Sequence, residues 1–387
     1  MPNITTQLMA LLRSAVADTA VETDLLGSAS REELQKLYAL AQKHDVAHLL
    51  GAAVEKNQLA LDGEVAAALQ KKTFTAVYRY EGLRYELERV CSVLDSAMIP
   101  YLPLKGSVLR ALYPEPWMRT SCDIDILVRE EHLDAAIACI TEQLGFTFGT
   151  RGAHDVSAFS PSGIHLELHF TLIESNVVGI ADEPLVDVWE RVKPVAGRSM
   201  HEMPDDLFYY YHVAHMAKHV MNGGCGVRPF LDLWILRHKV SFDDAKRASL
   251  LERGGLLRFA RTAEQLCEVW LGGGEHTELT EQLEQYILFG GVYGNLSNRV
   301  SVQQSRSGGK FKYALSRVWL PYTTIAVYYP VLQKHKWLLP VCQVRRWFRL
   351  LFGGKLKKSV KELNVNQSTS SDEQARVSRF LQALDLK

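Results

Sequence analysis

The segment that most narrows the fold is Cys122-Asp-Ile-Asp-Ile-Leu-Val128, an alternating run inside a chain otherwise patterned for helices. Successive side chains on a strand point to opposite faces, so Asp123 and Asp125 project one way and Ile124 and Ile126 the other. Such a strand buries one face and leaves two carboxylates together on the opposite one. A second run, Gly163-Ile-His-Leu-Glu-Leu-His-Phe170, repeats the design: His165, Glu167 and His169 share one face, Ile164, Leu166 and Leu168 the other. Upstream, Met98-Ile-Pro-Tyr-Leu-Pro-Leu104 is a short apolar segment punctuated by prolines, which suits an edge strand. It runs into the turn Lys105-Gly106-Ser107. Val108 to Leu112 then predicts a helix, Tyr113 to Ser121 a loop, and Glu130 to Leu144 a helix ended by Gly145.

Around these segments the spacing is helical. From Thr5 to about Ala97 apolar residues recur at steps of three and four, as in Leu34, Leu37, Tyr38, Leu40 and Ala41, which predicts amphipathic packing helices. Ser30 and Glu33 fit a capping box for the second of them, and a later one is expected over Phe74–Ser96. Helical spacing resumes from Pro204 to about Tyr293, with helices over Leu207–Asn222, Val227–Arg237, Phe242–Gly254 and Arg258–Trp270. Gln303–Gly309 and Asn364–Asp372 read as polar linkers. The expected organisation is an N-terminal helical region (1–97), a sheet-bearing core (98–200), a helical domain (201–300) and a basic C-terminal region (301–387). That order of elements is α+β.

Bulk properties exclude several classes. Lys plus Arg and Asp plus Glu are 44 each, so net charge indicates no polyanionic partner. Six cysteines without a C-x-x-C pair argue against a zinc ribbon, a redox motif or a disulfide framework. No stretch reaches the roughly 18 apolar residues of a membrane span, and the N-terminus lacks a basic region leading into an apolar run. A cytoplasmic protein is the expectation.

Two carboxylates two residues apart on a strand can share divalent ions, because hard cations take oxygen ligands. Phosphoryl and nucleotidyl transfer use two such ions, one activating the attacking hydroxyl and one holding the triphosphate. Glu167 is the candidate third carboxylate, with Asp155 available in the same interval. A strand that ends in Gly106-Ser107 and opens a helix presents backbone N–H groups and a hydroxyl to phosphate oxygens. Lys105 and Arg119 add cations for a triphosphate. Each element has a bland alternative: an isolated D-x-D is more often a solvated strand face, and a Gly-Ser turn alone is weaker still. Their order along the chain raises the functional reading above that alternative.

Leu104-Lys-Gly-Ser107, Tyr113-Pro, Arg119-Thr-Ser-Cys-Asp-Ile-Asp-Ile-Leu-Val128 and Ile164-His-Leu-Glu-Leu-His-Phe170 resemble the uncharacterised family labelled nucleotidyltransferase family protein, within the DNA polymerase β-like nucleotidyltransferase superfamily. The resemblance covers most of the chain, including the N-terminal helices and the later His-x-x-Lys-His, Arg-x-x-Leu-Pro and Tyr-Pro segments. It implies a small mixed β-sheet flanked by helices, with Asp123 and Asp125 as metal ligands and Glu167 as the third carboxylate. It also implies Mg²⁺ or Mn²⁺ as cofactor and a nucleoside triphosphate such as ATP as substrate, with Lys105, Gly106, Ser107 and Arg119 at its phosphates. Lys105 directly before Gly-Ser is particular to this subgroup. The expected reaction moves a nucleoside monophosphate to a hydroxyl acceptor that the sequence does not identify. The alternatives are a non-catalytic nucleotide-binding or regulatory protein on the same fold, and an enzyme that extends polynucleotides.

Two further features stand apart. Tyr211-His-Val-Ala-His-Met-Ala-Lys-His219 puts His212, His215 and His219 on one helical stripe. One reading buries these histidines against Asp232 or backbone carbonyls. A second has His215, Lys218, His219, Arg228 and Asp232 contacting nucleotide or acceptor across a cleft, and a third makes a transition-metal site. Between Gln285 and Lys361 there is no Asp or Glu, while Lys and Arg recur among aromatics from Arg299 to Lys361. That bias reads as a solvated charged face, as a peripheral contact with an anionic membrane through 334–361, or, less favoured, as a nucleic-acid surface.

Overall fold

The computed structural model describes residues 3–17, 19–21, 25–27, 29–61, 63–173, 180–292, 294–307, 309–329, 331–352, 365–368 and 370–386. Four helices lead the chain: α1 (Ile4–Ala17), α2 (Arg31–Lys43), α3 (Ala47–Lys56) and α4 (Gly63–Ser96). α2 starts at the capping box: Glu33 N donates to Ser30 Oγ at 3.3 Å and Ser30 N donates to Glu33 Oε2 at 2.8 Å. α4 starts at Gly63 rather than Phe74. Its first turns are held on α3, where the Thr73 hydroxyl donates to the His48 carbonyl at 3.2 Å.

The sheet follows. Its elements are β1 (Tyr101–Pro103), the short α5 (Gly106–Leu109), β2 (Asp123–Val128), α6 (Leu133–Leu144), β3 (Thr147–Arg151), β4 (Asp155–Phe159) and β5 (His165–His169). Five strands lie in the order β1-β2-β5-β4-β3. β2 and β5 run parallel and the other neighbours antiparallel, so the sheet is mixed and the fold α+β. β1 lies at the edge, where Pro103 costs no ladder bond. Gly145 ends α6 with φ 71°, a conformation that favours glycine. Sequence periodicity did not reveal the β3–β4 hairpin, because β4 buries only Val156 and Ala158 and β3 buries nothing.

One face of the sheet is closed. Ile124, Ile126, Leu166 and Leu168 pack against Leu83, Val90 and Leu94 of α4 and Ala136 and Ile140 of α6. Each such side chain stabilises the fold by about 1.5–3 kcal/mol. Register is therefore pinned, since a one-residue slip would send the carboxylates into this core.

After α7 (Val188–Arg191) and a two-stranded ribbon of β6 (Lys193–Pro194) and β7 (His201–Glu202) come α8 (Asp205–Met221), α9 (Arg228–Lys239), α10 (Asp244–Arg253), α11 (Leu257–Cys267) and α12 (Glu278–Gly290). They share one apolar core with α1–α3. The chain continues through α13 (Leu296–Ser307), α14 (Lys310–Val318), α15 (Tyr322–Tyr328), α16 (Val331–Lys334), α17 (Leu339–Phe352) and α18 (Ser371–Ala383). Residues 303–307, expected as linker, are the end of α13: Gln304 is buried and its amide nitrogen donates to Asn366 O at 2.9 Å, a partner distant in sequence. Among the described residues no helix is long and apolar enough to cross a membrane. Lys355, Lys357, Lys358 and Lys361 lie outside the described residues.

Candidate active site

The parallel pairing of β2 and β5 sets Asp123 opposite His165 and Asp125 opposite Glu167. All four, with His169, therefore occupy the face that the apolar core leaves open. Asp125 is 4% exposed and is held from two sides. Lys105 Nζ donates to its Oδ1 at 2.8 Å, and His169 Nε2 donates to the same oxygen at 2.9 Å. His169 Nε2 also lies 3.5 Å from Glu167 Oε2. Potential ligand atoms of Asp125, Glu167 and His169 fall within 4.8 Å of one another, as do those of Asp123, His165 and Glu167. Glu167 belongs to both groups, and each group adds one imidazole to two carboxylates. The His165-Leu-Glu-Leu-His169 alternation carried a signal for those imidazoles, but sequence reasoning assigned them no role. Asp155, on β4 opposite His169, is in neither group.

Charge in this cluster is only partly balanced. Burial, and then Asp125 and Glu167, push the Asp123 carboxyl up. Burial opposes ionisation of Asp125 as well, but Lys105 and His169 outweigh it and hold the carboxyl well below its ordinary value. The hydrogen bond from His169 lowers Glu167 against burial and the charge of Asp125. Burial lowers His169, yet its bonds to Asp125 and Glu167 raise it overall. Crowded carboxylates in a low-dielectric face are the situation that a divalent cation relieves, and oxygen donors supplemented by imidazole fit one.

The turn before α5 is built to lie against this cluster. Leu104 N donates to Asp125 O at 3.0 Å, which ties the turn to β2. Lys105 adopts φ 45°, unusual for a lysine, and its ammonium reaches Asp125. A Cβ at Gly106 would sit 3.3 Å from Arg119 Nη1 and 3.4 Å from Ser121 Cβ, so the position has little room for a side chain. Buried Arg110 braces the turn, donating to Gly106 O at 2.7 Å and to Ser121 Oγ at 2.9 Å. The Ser107 hydroxyl is buried and makes no hydrogen bond among the described residues. A hydroxyl in that state is a ready donor or acceptor for a ligand.

Arg119, expected at a triphosphate, and Asp232, read either as a partner of the buried histidines or as a substrate contact, bind each other in the structure. Arg119 Nε donates to Asp232 Oδ1 and Nη2 to Oδ2, both at 2.9 Å, while the Tyr113 hydroxyl donates to Oδ1 at 2.7 Å. Asp232 has no exposed surface, and its carboxylate is taken up within the protein. The Arg119 guanidinium is committed to it and to Thr120 O at 2.7 Å. Together they clamp the loop 113–121 onto α9. Arg228 is drawn into the same clamp: it donates to Asp45 Oδ2 at 3.0 Å and to Thr120 Oγ1 at 3.3 Å, and His48 donates to Met118 O at 2.7 Å.

α8 divides the histidine stripe. His212 is buried and bonds to Pro229 O at 2.9 Å, as the structural reading expected. His215 and His219 share a hydrogen bond at 2.9 Å. Burial and then the Lys105 charge push His215 down to about 3, with Asp125 pulling the other way. Burial and Lys105 push Lys218 down to about 8, while Glu167 raises it. His215 and Lys218 thus both feel the charges of Lys105 and of the carboxylate face. A separate cavity of about 880 Å³ opens between α1 and α12, lined in part by Arg13, Trp270 and Glu284. It holds none of the residues above, and the convergence of charge, rather than cavity size, identifies the site.

The family model described as uncharacterised nucleotidyltransferase matches residues 30–272, a span that holds the whole sheet, the turn and α8–α11. The chain belongs to that family. Nucleotidyl transfer is thereby its general reaction and a nucleotide its general substrate, with an acidic cluster able to hold a divalent metal. No curated protein matches the sequence.

Proposed function

We propose that this nucleotidyltransferase moves a nucleoside monophosphate from a nucleoside triphosphate to a hydroxyl acceptor at the open face of the sheet. The observation that carries the reading is the in-phase pairing of Asp125 with Glu167, flanked by Asp123, beside a turn whose Ser107 hydroxyl is unspent. Asp123, Asp125 and Glu167 would hold two divalent ions, Mg²⁺ or Mn²⁺, with His165 and His169 within ligand reach. Bound ions of this kind lower the pKa of an acceptor hydroxyl and neutralise charge on leaving pyrophosphate. The remaining work falls to the chain itself. Lys105, Gly106 and Ser107 orient the triphosphate, Lys105 doing so by exchanging Asp125 for a phosphate oxygen. Lys218 and His215, which feel the charges of Lys105 and the carboxylates, would meet the acceptor or leaving group.

Replacing Asp123 and Asp125 together with Asn is the test. Metal-dependent release of pyrophosphate from nucleoside triphosphates should vanish while far-ultraviolet circular dichroism is retained; persistent turnover in the folded double variant overturns the assignment. The Lys105–Asp125–His169 contacts favour a second reading, because they neutralise Asp125 without metal and suit a nucleotide-binding protein that no longer catalyses. Calorimetric titration with Mg²⁺ and each triphosphate separates the two: catalysis requires metal-dependent binding, and its absence favours the second.

A further inference from the structure

The C-terminal helices carry a feature that the reaction does not use. On α17, Cys342 and Gln343 are buried, and Gln343 Nε2 donates to Leu320 O at 2.6 Å. Its opposite face holds Val341, Val344 and Phe348 at helical steps of three and four, all exposed. Arg345 and Arg349 are exposed beside them. Trp337, just before this helix, is 74% exposed. α14 repeats the pattern: Tyr313 is buried, whereas Phe311, Leu315 and Val318 form an exposed stripe next to exposed Lys310 and Lys312.

The two helices are joined. Trp347 Nε1 donates to Val318 O at 2.8 Å, Arg346 Nη2 donates to Arg317 O at 2.7 Å, and the Trp319 and Trp347 rings lie 6.1 Å apart. A water-facing helix surface ordinarily carries polar residues. Here the inward faces are capped by polar bonds and the outward faces are apolar and flanked by cations, as on a helix that lies in a bilayer interface.

From this geometry we infer that α14 and α17 dock the protein on an anionic lipid bilayer, with the apolar stripes among acyl chains and the cations at the headgroups. Charge selects this occupant. Residues 286–361 contain no Asp or Glu, so a second copy presenting the same face meets like charge. A polynucleotide would satisfy the cations and leave aliphatic Leu315, Val341 and Val344 in water. A bilayer with acidic headgroups takes both, and tryptophan at the rim suits its interface. The inference is independent of the transfer reaction.

The test uses the full chain and sedimentation with vesicles of phosphatidylcholine alone or mixed with phosphatidylglycerol. Binding should require phosphatidylglycerol and weaken as salt rises, because screening shortens the reach of the headgroup field. Each cation removed in Arg345→Gln or Lys312→Gln should weaken partition about fivefold. Leu315→Ser and Val344→Ser should weaken it at constant charge, and tryptophan quenching by brominated lipid should diminish in Trp337→Phe. These are exposed positions, so thermal unfolding verifies that each variant is folded. A folded wild-type chain that ignores acidic vesicles overturns the inference. So does vesicle binding that Leu315→Ser and Val344→Ser leave unchanged, tighter salt-sensitive binding to a polynucleotide added in competition with the vesicles, or dimerisation that Val344→Ser abolishes.

Discussion

Asp125 and Asp232 are both buried carboxylates paired with a cation, but of the two only Asp125 has further carboxylates beside it. Asp232 faces one guanidinium in two-point contact and one tyrosine hydroxyl, with no surface exposed. Asp125 faces one ammonium and one imidazole but has Asp123 and Glu167 for neighbours, and Asp123 is pushed up by them. A closed pair holds elements together; a cluster of like charges could take a cation from outside. Burial alone does not separate structural from chemical carboxylates, whereas the balance of charge around them does.

The largest expected effect tests the overcharged side. Asp123→Asn should reduce nucleotide turnover on the order of 1000-fold, equivalent to roughly 4 kcal/mol of transition-state stabilisation. Its denaturation midpoint should stay level or rise, since a repelled charge is removed. A fall in stability comparable to the activity loss would break the contrast. On the closed side, Asp232→Ala should cost about 3–5 kcal/mol in urea unfolding because it strands the Arg119 charge. Arg119→Met combined with Asp232→Leu should recover most of that, as buried ion pairs are often replaceable by packed apolar groups.

A third prediction concerns buried histidine. His44 is fully buried, and burial pushes it down to about 4 against its bond to Leu288 O. The unfolded chain therefore takes up a proton at that site before the folded one does, so stability is complete above about pH 6.5 and is lost as pH falls toward 4. The loss should be on the order of 3 kcal/mol at pH 4, and His44→Gln should flatten this acid limb of a denaturation series. Smallest is the metal effect. Mg²⁺ or Mn²⁺ at a hundred times its dissociation constant should stabilise the wild type by about 2.7 kcal/mol, and Asp123→Asn should lack that shift.

Much of the sheet was legible because it rests on local rules. Alternation in 122–128 and 163–170, the proline-marked edge strand, the Ser30–Glu33 cap and the Gly145 stop each depend on a few neighbouring residues. β3 and β4 escaped because a hairpin with so few buried residues leaves no periodic trace. The end of α13 escaped because the partner of its buried Gln304 amide nitrogen is Asn366, some sixty residues away.

The chain's order of residues determined by itself that Asp123 and Asp125 share a strand face and that Glu167, His165 and His169 share another. Side-chain alternation is a property of a single strand and needs no partner. Tertiary structure decided what those faces meet. Parallel pairing brought Glu167 beside Asp125, and the turn delivered Lys105 to the same oxygen as His169. Across 113 residues the fold also paired Arg119 with Asp232. Two opposite charges far apart in sequence carry no local signature of their pairing; only packing of the loop 113–121 against α9 brings them within hydrogen-bond distance and removes the water that would otherwise separate them.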